Sequence, residues 1–133
     1  MNEAFVWPVR VYWEDTDAGG VVYYANYLRF LERARSEWLR ALGVEQTELA
    51  ARDGLVFVVR HIAVDFLRPA RFDDLLAIHS RLLELGGASL TLEQAVVRAG
   101  AVLLTARVRI ACVRNADFRP VRIPPHIIKR LLP

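Results

Sequence analysis

The sequence of 133 residues has little of several features that mark particular classes of protein. It contains one cysteine, so no disulfide can form within the chain, and a reducing, cytoplasmic location is expected. It contains no run of eighteen apolar residues, so no membrane-spanning helix is expected. The first eight residues lack a basic segment followed by an apolar one, so no signal peptide is expected.

Lysine is also scarce, because Lys129 is the one lysine among 18 positively charged side chains and the rest are arginines. The net charge is only +3, and the arginines are scattered along the chain. A nucleic-acid surface would need a basic stripe with interleaved aromatic residues. We therefore expect no nucleic-acid partner, and a few arginines are free to meet phosphate groups on a soluble ligand.

Patterns for metal sites and for the common nucleophiles are missing as well. His61, His79 and His126 have no i, i+4 spacing and no accompanying cluster of cysteine or carboxylate, so no metal is expected. Cys112 shares the alternation of its apolar neighbours, which is typical of a buried strand position. Neither a Gly-x-Ser-x-Gly elbow nor a phosphate-binding glycine loop is present, and no organic cofactor is expected.

What the sequence does contain is an acidic, glycine-bearing stretch at 14–27. Asp15 and Asp17 lie two residues apart in a turn-prone segment, and Gly19 and Gly20 follow directly. The glycines permit positive φ angles and the close approach of a ligand or of another part of the backbone. Such a stretch is typical either of a simple turn or of a site with a reactive carboxylate.

A long helix is predicted directly after this stretch, from Tyr24 to Leu42. Apolar residues recur there at helical spacing, and Trp38 is expected on the buried face. Gly43 is expected just past the carboxyl end. Asn26 is a candidate amino-terminal cap. A helix start offers unpaired N–H groups and a positive dipole, so a carboxylate facing it across a small gap is a plausible catalytic arrangement.

The rest of the chain predicts an antiparallel sheet beside this helix. Strands are expected at 5–13, 55–67, 75–85, 88–99 and 101–114, with short helices at 44–52 and 124–132. We therefore predict one α+β domain over residues 1–133, in which about five strands surround a long buried helix.

Two of these strands carry predictions about which side chains are buried. In the last strand, alternate residues from Val102 to Cys112 are expected to face inward. In the strand beginning at Leu55, the even-numbered positions are apolar except for Arg60. The odd-numbered positions include Asp65, so one face of that strand is expected to meet solvent, a partner subunit or a ligand.

The order of these residues resembles the hotdog-fold acyl-CoA thioesterases, in particular the YbgC-like (Tol-Pal-associated) branch of the 4-hydroxybenzoyl-CoA thioesterase family. The stretches that match are 9–12, 14–17 with Gly19, 22–23, 26–27, 32–35, 57–60 and 69–75. The resemblance covers nearly the whole chain and implies a sheet wrapped around the central helix. It also implies a homodimer or homotetramer in which two sheets become continuous and the site lies between subunits.

The resemblance also implies roles for individual residues. Asp17 is the carboxylate expected to attack the thioester or to activate water, and backbone N–H groups near Tyr24 are expected to bind the oxyanion. Asp15 is expected to hold the loop by accepting backbone hydrogen bonds. The residues expected to contact the substrate are Gly19, Val22, Tyr23, Arg60 and Ser89.

Two departures from the family pattern leave alternatives open. Many members have a histidine where this chain has Tyr24, and a tyrosine is a poor base at neutral pH. The hydroxybenzoyl-CoA relatives have basic residues in the hairpin where this chain has Gly86-Gly87-Ala88-Ser89, so Arg60 or Arg68 would have to bind the phosphates, or acyl carrier protein would replace CoA. The alternative to a thioester hydrolase is a non-catalytic acyl-carrier binding or scaffold protein of the same fold.

Overall fold

A computed structural model of the chain describes residues 3–132. Its helices and strands, in chain order, are β1 (Phe5–Arg10), α1 (Asn26–Ala41), α2 (Gln46–Asp53), β2 (Leu55–Phe66), β3 (Leu75–Leu85), β4 (Ser89–Arg98), β5 (Ala101–Arg114) and α3 (Pro125–Leu131), and a 3₁₀ turn at Trp13–Asp15 separates β1 from α1. The predicted domain also includes residues 1, 2 and 133, which lie outside the described residues.

The five strands form one antiparallel sheet in the order β1-β3-β4-β5-β2. Each of the pairs β3–β4 and β4–β5 is joined by a short connection, whereas β1 and β2 lie at the two edges of the sheet. The predicted α+β architecture with five antiparallel strands is confirmed. Both edge strands present unpaired backbone groups within a single copy of the chain.

Helix α1 packs its apolar stripe on one face of this sheet. Phe30, Leu31 and Ala34 have no exposed surface, and Trp38 is only 5% exposed, as the helical spacing predicts. Gly43 follows the helix with a φ of 82°, a left-handed conformation that favours glycine and ends the helix as predicted. Across residues 3–132, no helix is long and apolar enough to cross a membrane.

The first strand is shorter than predicted, because β1 ends at Arg10 and not at Trp13. The backbone N–H of Val11 donates to the carbonyl of Asp74, and the N–H of Asp73 donates back to the carbonyl of Val11, both at 2.9 Å. After this last pair the chain turns away, and Trp13–Asp15 forms a 3₁₀ turn. Strand propensity extends to Trp13, but no neighbouring strand is present there to pair with it.

The long helix begins two residues later than predicted. Its N-cap is Ala25, which makes no side-chain capping bond, so the prediction of Asn26 as the cap is wrong. Tyr24 lies in the turn before the helix and not within it. The side chain of Asn26 is engaged elsewhere, since its Nδ2 donates to a carboxylate oxygen of Asp15 at 2.9 Å.

Two β-bulges change the faces predicted for β2 and β5. The pairing register shifts between Val59 and His61, so Arg60 is the extra residue of a bulge and the buried parity changes there. A second shift, where Val96 pairs with Leu104 and Val97 with Val102, leaves Leu103 unpaired. The prediction that Val102 faces inward is therefore wrong.

The consequence in β5 is clear from the exposed surface of its side chains. Val102 is 42% exposed, whereas Leu103 has no exposed surface. Beyond the bulge the predicted alternation is correct, because Leu104, Val108 and Cys112 are all buried. Buried and exposed side chains alternate along a strand only while its hydrogen-bond pairing is regular. One inserted residue reverses which side chains are buried.

Candidate functional site

The acidic stretch forms a short hairpin-like loop that leads into α1. Thr16 and Val22 form an isolated antiparallel bridge, and the N–H of Asp17 donates to the carbonyl of Val21 at 2.9 Å. The N–H of Gly20 donates back to the carbonyl of Asp17 at 3.0 Å. Gly20 has a φ of 76°, which a residue with a side chain would adopt only with strain. We call residues 14–25 the acid loop.

Asp15 faces into the protein and ties the acid loop to the helix. One oxygen of its carboxylate accepts from the backbone N–H of Tyr12 at 2.8 Å, and the other accepts from Nδ2 of Asn26 at 2.9 Å. The carbonyl of Asp15 accepts from the N–H of Tyr23 at 3.0 Å. Asp15 and Asn26 are both buried, so this pair links the two ends of the acid loop.

Asp17 has the opposite environment, although it lies only two residues away. Its side chain is exposed at the tip of the acid loop, and its Oδ1 accepts from the backbone N–H of Gly19 at 2.8 Å. A Cβ atom at Gly19 would lie 3.3 Å from that oxygen, so glycine gives the carboxylate its space. Oδ2 accepts no hydrogen bond from any of the residues 3–132, which leaves it available to a ligand.

The turn before α1 presents free backbone donors. The N–H of Asn26 donates to the carbonyl of Tyr23, and that of Leu28 donates to the carbonyl of Ala25. No described residue accepts from the backbone N–H of Tyr24 or of Ala25. Together with the positive end of the helix dipole, these groups can bind an oxygen that carries negative charge.

Aromatic rings surround this donor group. The rings of Tyr23 and Tyr24 lie 4.9 Å apart between centroids, and Phe66 meets Tyr24 edge-on at 6.4 Å. Tyr24 is 64% exposed. The nearby hydroxyl of Tyr24 raises the pKa of Tyr23, so Tyr23 stays protonated at neutral pH. The site thus combines an apolar rim with a carboxylate and free N–H groups.

Residues 69–74, which we call the support segment, fix the acid loop through backbone hydrogen bonds. The N–H of Val22 donates to the carbonyl of Ala70 at 2.8 Å, and the N–H of Phe72 donates to the carbonyl of Gly20 at 3.1 Å. The hydroxyl of the buried Tyr27 accepts from the N–H of Ala70 at 2.9 Å. The loop is therefore fixed both to α1 and to the segment before β3.

The support segment is itself fixed by Asp74. Its Oδ2 accepts from the N–H of Arg71 at 2.8 Å and from Nη1 of Arg98 at 2.7 Å. Burial by itself raises the pKa of Asp74, but these two donors outweigh it and lower the pKa overall. Asp74 is therefore ionised at neutral pH and anchors the segment to the end of β4.

The predicted substrate residues fall into two groups. Gly19, Val22 and Tyr23 lie in the acid loop with Asp17, whereas Arg60 and Ser89 do not. Arg60 is exposed at the β2 bulge, six residues before Phe66, a separation of about 20 Å along a strand. Ser89 begins β4 and pairs with Ala111 of β5, opposite the same part of β2. Within one copy of the chain these two residues lie far from the acid loop.

Sequence reasoning missed two polar features of α1. One is the bond from Asn26 to Asp15, because an asparagine before an apolar run also fits a simple cap. The other is Arg35, which lies buried in the apolar stripe and bonds to Gln94. Arg35 is four residues from both Leu31 and Leu39, so the helical spacing itself could have revealed it.

The three histidines occupy separate elements. His61 is exposed on β2 and His79 is half-buried on β3, while His126 of α3 is exposed and lies 3.6 Å from Asp53. Between residues 3 and 132, no three side chains of histidine, cysteine, aspartate or glutamate lie together as a metal site would require. Cys112 has no exposed surface, as predicted.

Comparison with known proteins gives consistent matches over almost the whole chain. The model of the thioesterase-like superfamily matches residues 11–131. An acyl-CoA thioesterase YbgC of Haemophilus influenzae is 44% identical over 127 residues, which cover 96% of this chain and 93% of the relative.

Solved structures agree with the sequence matches. A probable thioesterase from Bartonella henselae has a TM-score of 0.87 and 44% identity, covering 91% of this chain and 99% of that one. A 4-hydroxybenzoyl-CoA thioesterase variant in complex with 4-hydroxybenzoyl-CoA has a TM-score of 0.91 at 21% identity, covering 98% of this chain and 99% of that one, and so supports the fold alone.

The fold and the family were both predicted from the sequence. The structural neighbours are hotdog-fold thioesterases, so the predicted hotdog architecture is confirmed. The family model covers far more than half of the chain, and the Haemophilus relative is similar from end to end. The chain belongs to the thioesterase-like superfamily and, within it, to the YbgC branch.

Proposed function

We propose that this protein hydrolyses acyl-CoA thioesters to a free acid and a thiol, with Asp17 as the reacting carboxylate. The observation that carries the proposal is the arrangement of the acid loop. An exposed carboxylate with one unbonded oxygen belongs to the same short loop as the free N–H groups of Tyr24 and Ala25. The similarity to relatives named acyl-CoA thioesterase supports the same activity.

The chemistry can follow two routes from this arrangement. In the first, an oxygen of Asp17 attacks the acyl carbon, the C–S bond breaks, the thiolate leaves, and water then hydrolyses the mixed anhydride. In the second, Asp17 removes a proton from water, the oxygen of that water attacks the acyl carbon, the C–S bond breaks, and the departing thiolate takes the proton back from Asp17. Both routes consume one water and release the acid and the thiol.

Backbone N–H groups are proposed to bind the oxyanion in either route. The carbonyl oxygen of the thioester becomes negatively charged as the nucleophile adds. The unbonded N–H of Tyr24 and the positive end of α1 favour a negative oxygen there. Any residue except proline supplies this donor, so the tyrosine at position 24 retains it.

The absence of a histidine at position 24 is compatible with hydrolysis. A thiol has a pKa of about 8.5, so it can leave as a thiolate with little help from a general acid. The hydroxyl of Tyr24 is a poor base, but the base required is the carboxylate of Asp17. This argument favours the enzyme over the alternative of a non-catalytic acyl-carrier binding or scaffold protein.

Asp15 is proposed to position the acid loop and not to react. Both of its carboxylate oxygens accept hydrogen bonds, and the group is buried, so neither oxygen is available to a substrate. Gly19, Val22 and Tyr23 are proposed to contact the substrate beside Asp17. The side chain of Val22 is buried and its N–H donates to Ala70, so of this residue the carbonyl oxygen is the group proposed to meet the substrate.

The positions of Arg60 and Ser89 favour a site built from more than one copy. Since Arg60 lies about 20 Å along β2 from Phe66, and Ser89 lies across the sheet near the same end of β2, these residues and Asp17 can contact one ligand only if it is long or if a second copy brings them closer. We therefore propose a homodimer or homotetramer. We also propose a cytoplasmic location, and acyl-CoA or acyl carrier protein as the substrate. The exposed edge of β2 is available for pairing with a second copy.

The proposal is tested by substituting Asp17→Asn. This change keeps the size of the side chain but removes its charge, so turnover of a panel of short acyl-CoA substrates should fall by about two to three orders of magnitude. Asp15→Asn should lower the melting temperature and reduce the rate less. Glu84→Gln, at an exposed carboxylate on β3, is the matched control and should change neither.

The outcomes of these experiments distinguish a thioester hydrolase from a non-catalytic scaffold protein. A folded Asp17→Asn protein with near wild-type turnover would overturn the role of Asp17. A wild-type protein inactive on every CoA and carrier-protein thioester tried would favour the scaffold. Light scattering that finds only a 15.1 kDa monomer at micromolar concentration would overturn the proposed assembly.

A further inference from the structure

The positive charge of the chain is concentrated in one segment near its carboxyl end. Arginines occur throughout the sequence, but carboxylates do not balance them after β5. Residues 114–130 contain one carboxylate, that of Asp117, and five cationic side chains, which are Arg114, Arg119, Arg122, Lys129 and Arg130. With histidine neutral, this segment carries a net charge of +4, while the whole chain carries +3. The rest of the protein is therefore close to neutral, and an anionic partner is attracted to this segment.

An aromatic ring stands at the tip of this segment. Residues 114–120 are all exposed, and Phe118 is 64% exposed. The N–H of Phe118 donates to the carbonyl of Arg114 at 2.7 Å, and the N–H of Arg114 donates to the carbonyl of Arg119 at 2.9 Å. These two bonds close a tight turn directly after β5. We call residues 114–122 the basic tip.

The backbone of Phe118 has a conformation that is unfavourable for a large side chain. Its φ is 58°, in the left-handed region, where glycine and asparagine are favoured and a bulky residue is an outlier. The ring gains little burial in return, because most of it is exposed to solvent. A residue that lowers stability and packs little within its own chain is suited to a contact outside that chain.

Arginines flank this ring on both sides. The Nε atoms of Arg114 and Arg119 lie 3.5 and 3.7 Å from the two oxygens of Asp117, and their side chains are 55% and 78% exposed. One carboxylate thus faces two guanidinium groups and neutralises at most one of them. Arg122 is exposed and lies over the β3–β4 hairpin, 3.4 Å from where a Cβ of Gly87 would stand. Guanidinium groups bind phosphate oxygens through paired N–H bonds.

We propose that the basic tip docks on a membrane surface that contains anionic phospholipids. The ring of Phe118 enters the boundary between headgroups and acyl chains, and Arg114, Arg119 and Arg122 meet lipid phosphates. A projecting ring needs a partner that supplies the cavity, and a fluid lipid surface opens around it, whereas a folded protein would need a preformed pocket. One ring and three arginines give weak partitioning, so the docking is reversible.

This docking does not depend on the hydrolysis proposed above. Phe66, which meets Tyr24 of the acid loop edge-on, pairs with Leu104 of β5. Arg114 lies ten residues further along the same strand, and ten residues of strand span about 33 Å. The basic tip and the acid loop of one copy are therefore at opposite ends of the sheet, and each can be altered separately.

The test is sedimentation of the full-length protein with vesicles of phosphatidylcholine, either alone or mixed with phosphatidylglycerol. The wild-type protein should bind the anionic vesicles at least about tenfold more tightly than the neutral ones, and salt should weaken this binding. Phe118→Asn should weaken it by at least about tenfold. The melting temperature of that variant should stay the same or rise, because asparagine tolerates the left-handed φ. Phe118→Trp keeps an interfacial ring and should bind like the wild type.

Charge variants test the arginines in the same assay. Arg119→Gln should weaken binding to the anionic vesicles by about fivefold, and Asp117→Asn, which removes the neighbouring carboxylate, should strengthen it by about fivefold. Arg107→Gln, at an exposed arginine in the middle of β5, is the matched control and should bind like the wild type. Asp17→Asn should also bind like the wild type, so a failure of the proposed catalysis leaves this result unchanged.

Several results would overturn the proposal. A wild-type protein that fails to bind anionic vesicles, including the case in which a second copy covers the basic tip, or that binds neutral vesicles equally well, would do so. Undiminished binding by Phe118→Asn would show that charge alone attracts the protein, and would favour an acidic protein as the partner. Release from the vesicles by inorganic phosphate, at an ionic strength where sodium chloride has no effect, would assign the arginines to a free phosphate ligand instead.

Discussion

The two ends of α1 are built in opposite ways. Around the start of the helix, Leu28 and Tyr24 of the preceding turn are exposed, and polar bonds such as the one between Asn26 and Asp15 hold the backbone in place. Toward the other end, Trp38 and Leu39 are buried, and the packing is apolar. One helix therefore carries a polar, open end and an apolar, closed end.

This difference reflects what each end has to do. Apolar packing stabilises the protein but hides the groups that it covers. A site that must meet a charged substrate needs exposed polar groups, and hydrogen bonds to the backbone can fix these groups without burying them. The open end of α1 is thus positioned by Asp15, Asn26 and the support segment, while the closed end supplies stability.

The largest expected effect on stability is at the closed end. Trp38→Ala should cost about 3–5 kcal/mol, because the ring is buried between α1 and its neighbours. Trp13, which is exposed and stacks on Phe72, is the matched control, and Trp13→Ala should cost about 1 kcal/mol. Chemical denaturation measures both. Equal losses for the two variants would contradict the burial of Trp38 at the closed end of α1.

A smaller effect is expected at the open end from Asn26→Ala. The substitution leaves a buried carboxylate oxygen of Asp15 without its donor, which should cost about 1–3 kcal/mol. It should also lower the turnover number more than it changes KM, because the acid loop and the helix start lose their link. Asn115→Ala, in the exposed turn after β5, is the control.

Asn26→Ala distinguishes two roles for the bond between Asn26 and Asp15. A variant that is less stable but has an unchanged turnover number would show that the bond supports only the fold. A loss of turnover that exceeds the loss of folded protein would show that the bond positions the site. Denaturation and steady-state kinetics on the same preparation distinguish the two.

The smallest expected effect is the pH dependence of the support segment. Because the pKa of Asp74 is lower in the folded protein than its ordinary value of 3.8, its ion pair with Arg98 stabilises the fold above that value. The stabilisation is lost as the pH falls through the lower, folded pKa. Arg98→Met should therefore cost from a few tenths to about 1 kcal/mol at neutral pH, and less once the pH has fallen below the folded pKa of Asp74.

The measurement for this last prediction is a series of melting temperatures from pH 7 down to pH 2. The wild-type protein and Arg98→Met should converge as the solution becomes acidic. Arg107→Met, on the exposed face of β5, should follow the wild type at every pH. A difference that grows toward low pH would contradict the sign worked out for Asp74.

Much of this architecture could be read from local patterns. The long helix, the hairpin at Gly86-Gly87 and the end of α1 at Gly43 follow from apolar spacing and from glycine chemistry. The failures lie where one residue breaks a regular period. The bulges at Arg60 and Leu103 reverse which side chains face the helix, and no pattern in either strand indicates an unpaired residue.

The candidate site was found in the sequence only as a list of residues. The acid loop could be recognised from Asp15, Asp17 and Gly19, since these residue types favour turns and permit close approach. The contrasting environments of Asp15 and Asp17 could not be predicted, because two carboxylates so close in sequence are alike until the chain folds. Burial and the partners Tyr12 and Asn26 separate them.

The sequence by itself determined the α+β class, the order of the elements and the location of the acid loop, because these depend on contacts between residues close in the chain. Tertiary structure alone decided that Asp15 is buried and Asp17 open, that Arg35 bonds to Gln94, and that Arg60 lies far from the loop within one copy. These facts depend on contacts between residues that are distant in sequence. A local sequence pattern does not indicate which distant residues will pack against it.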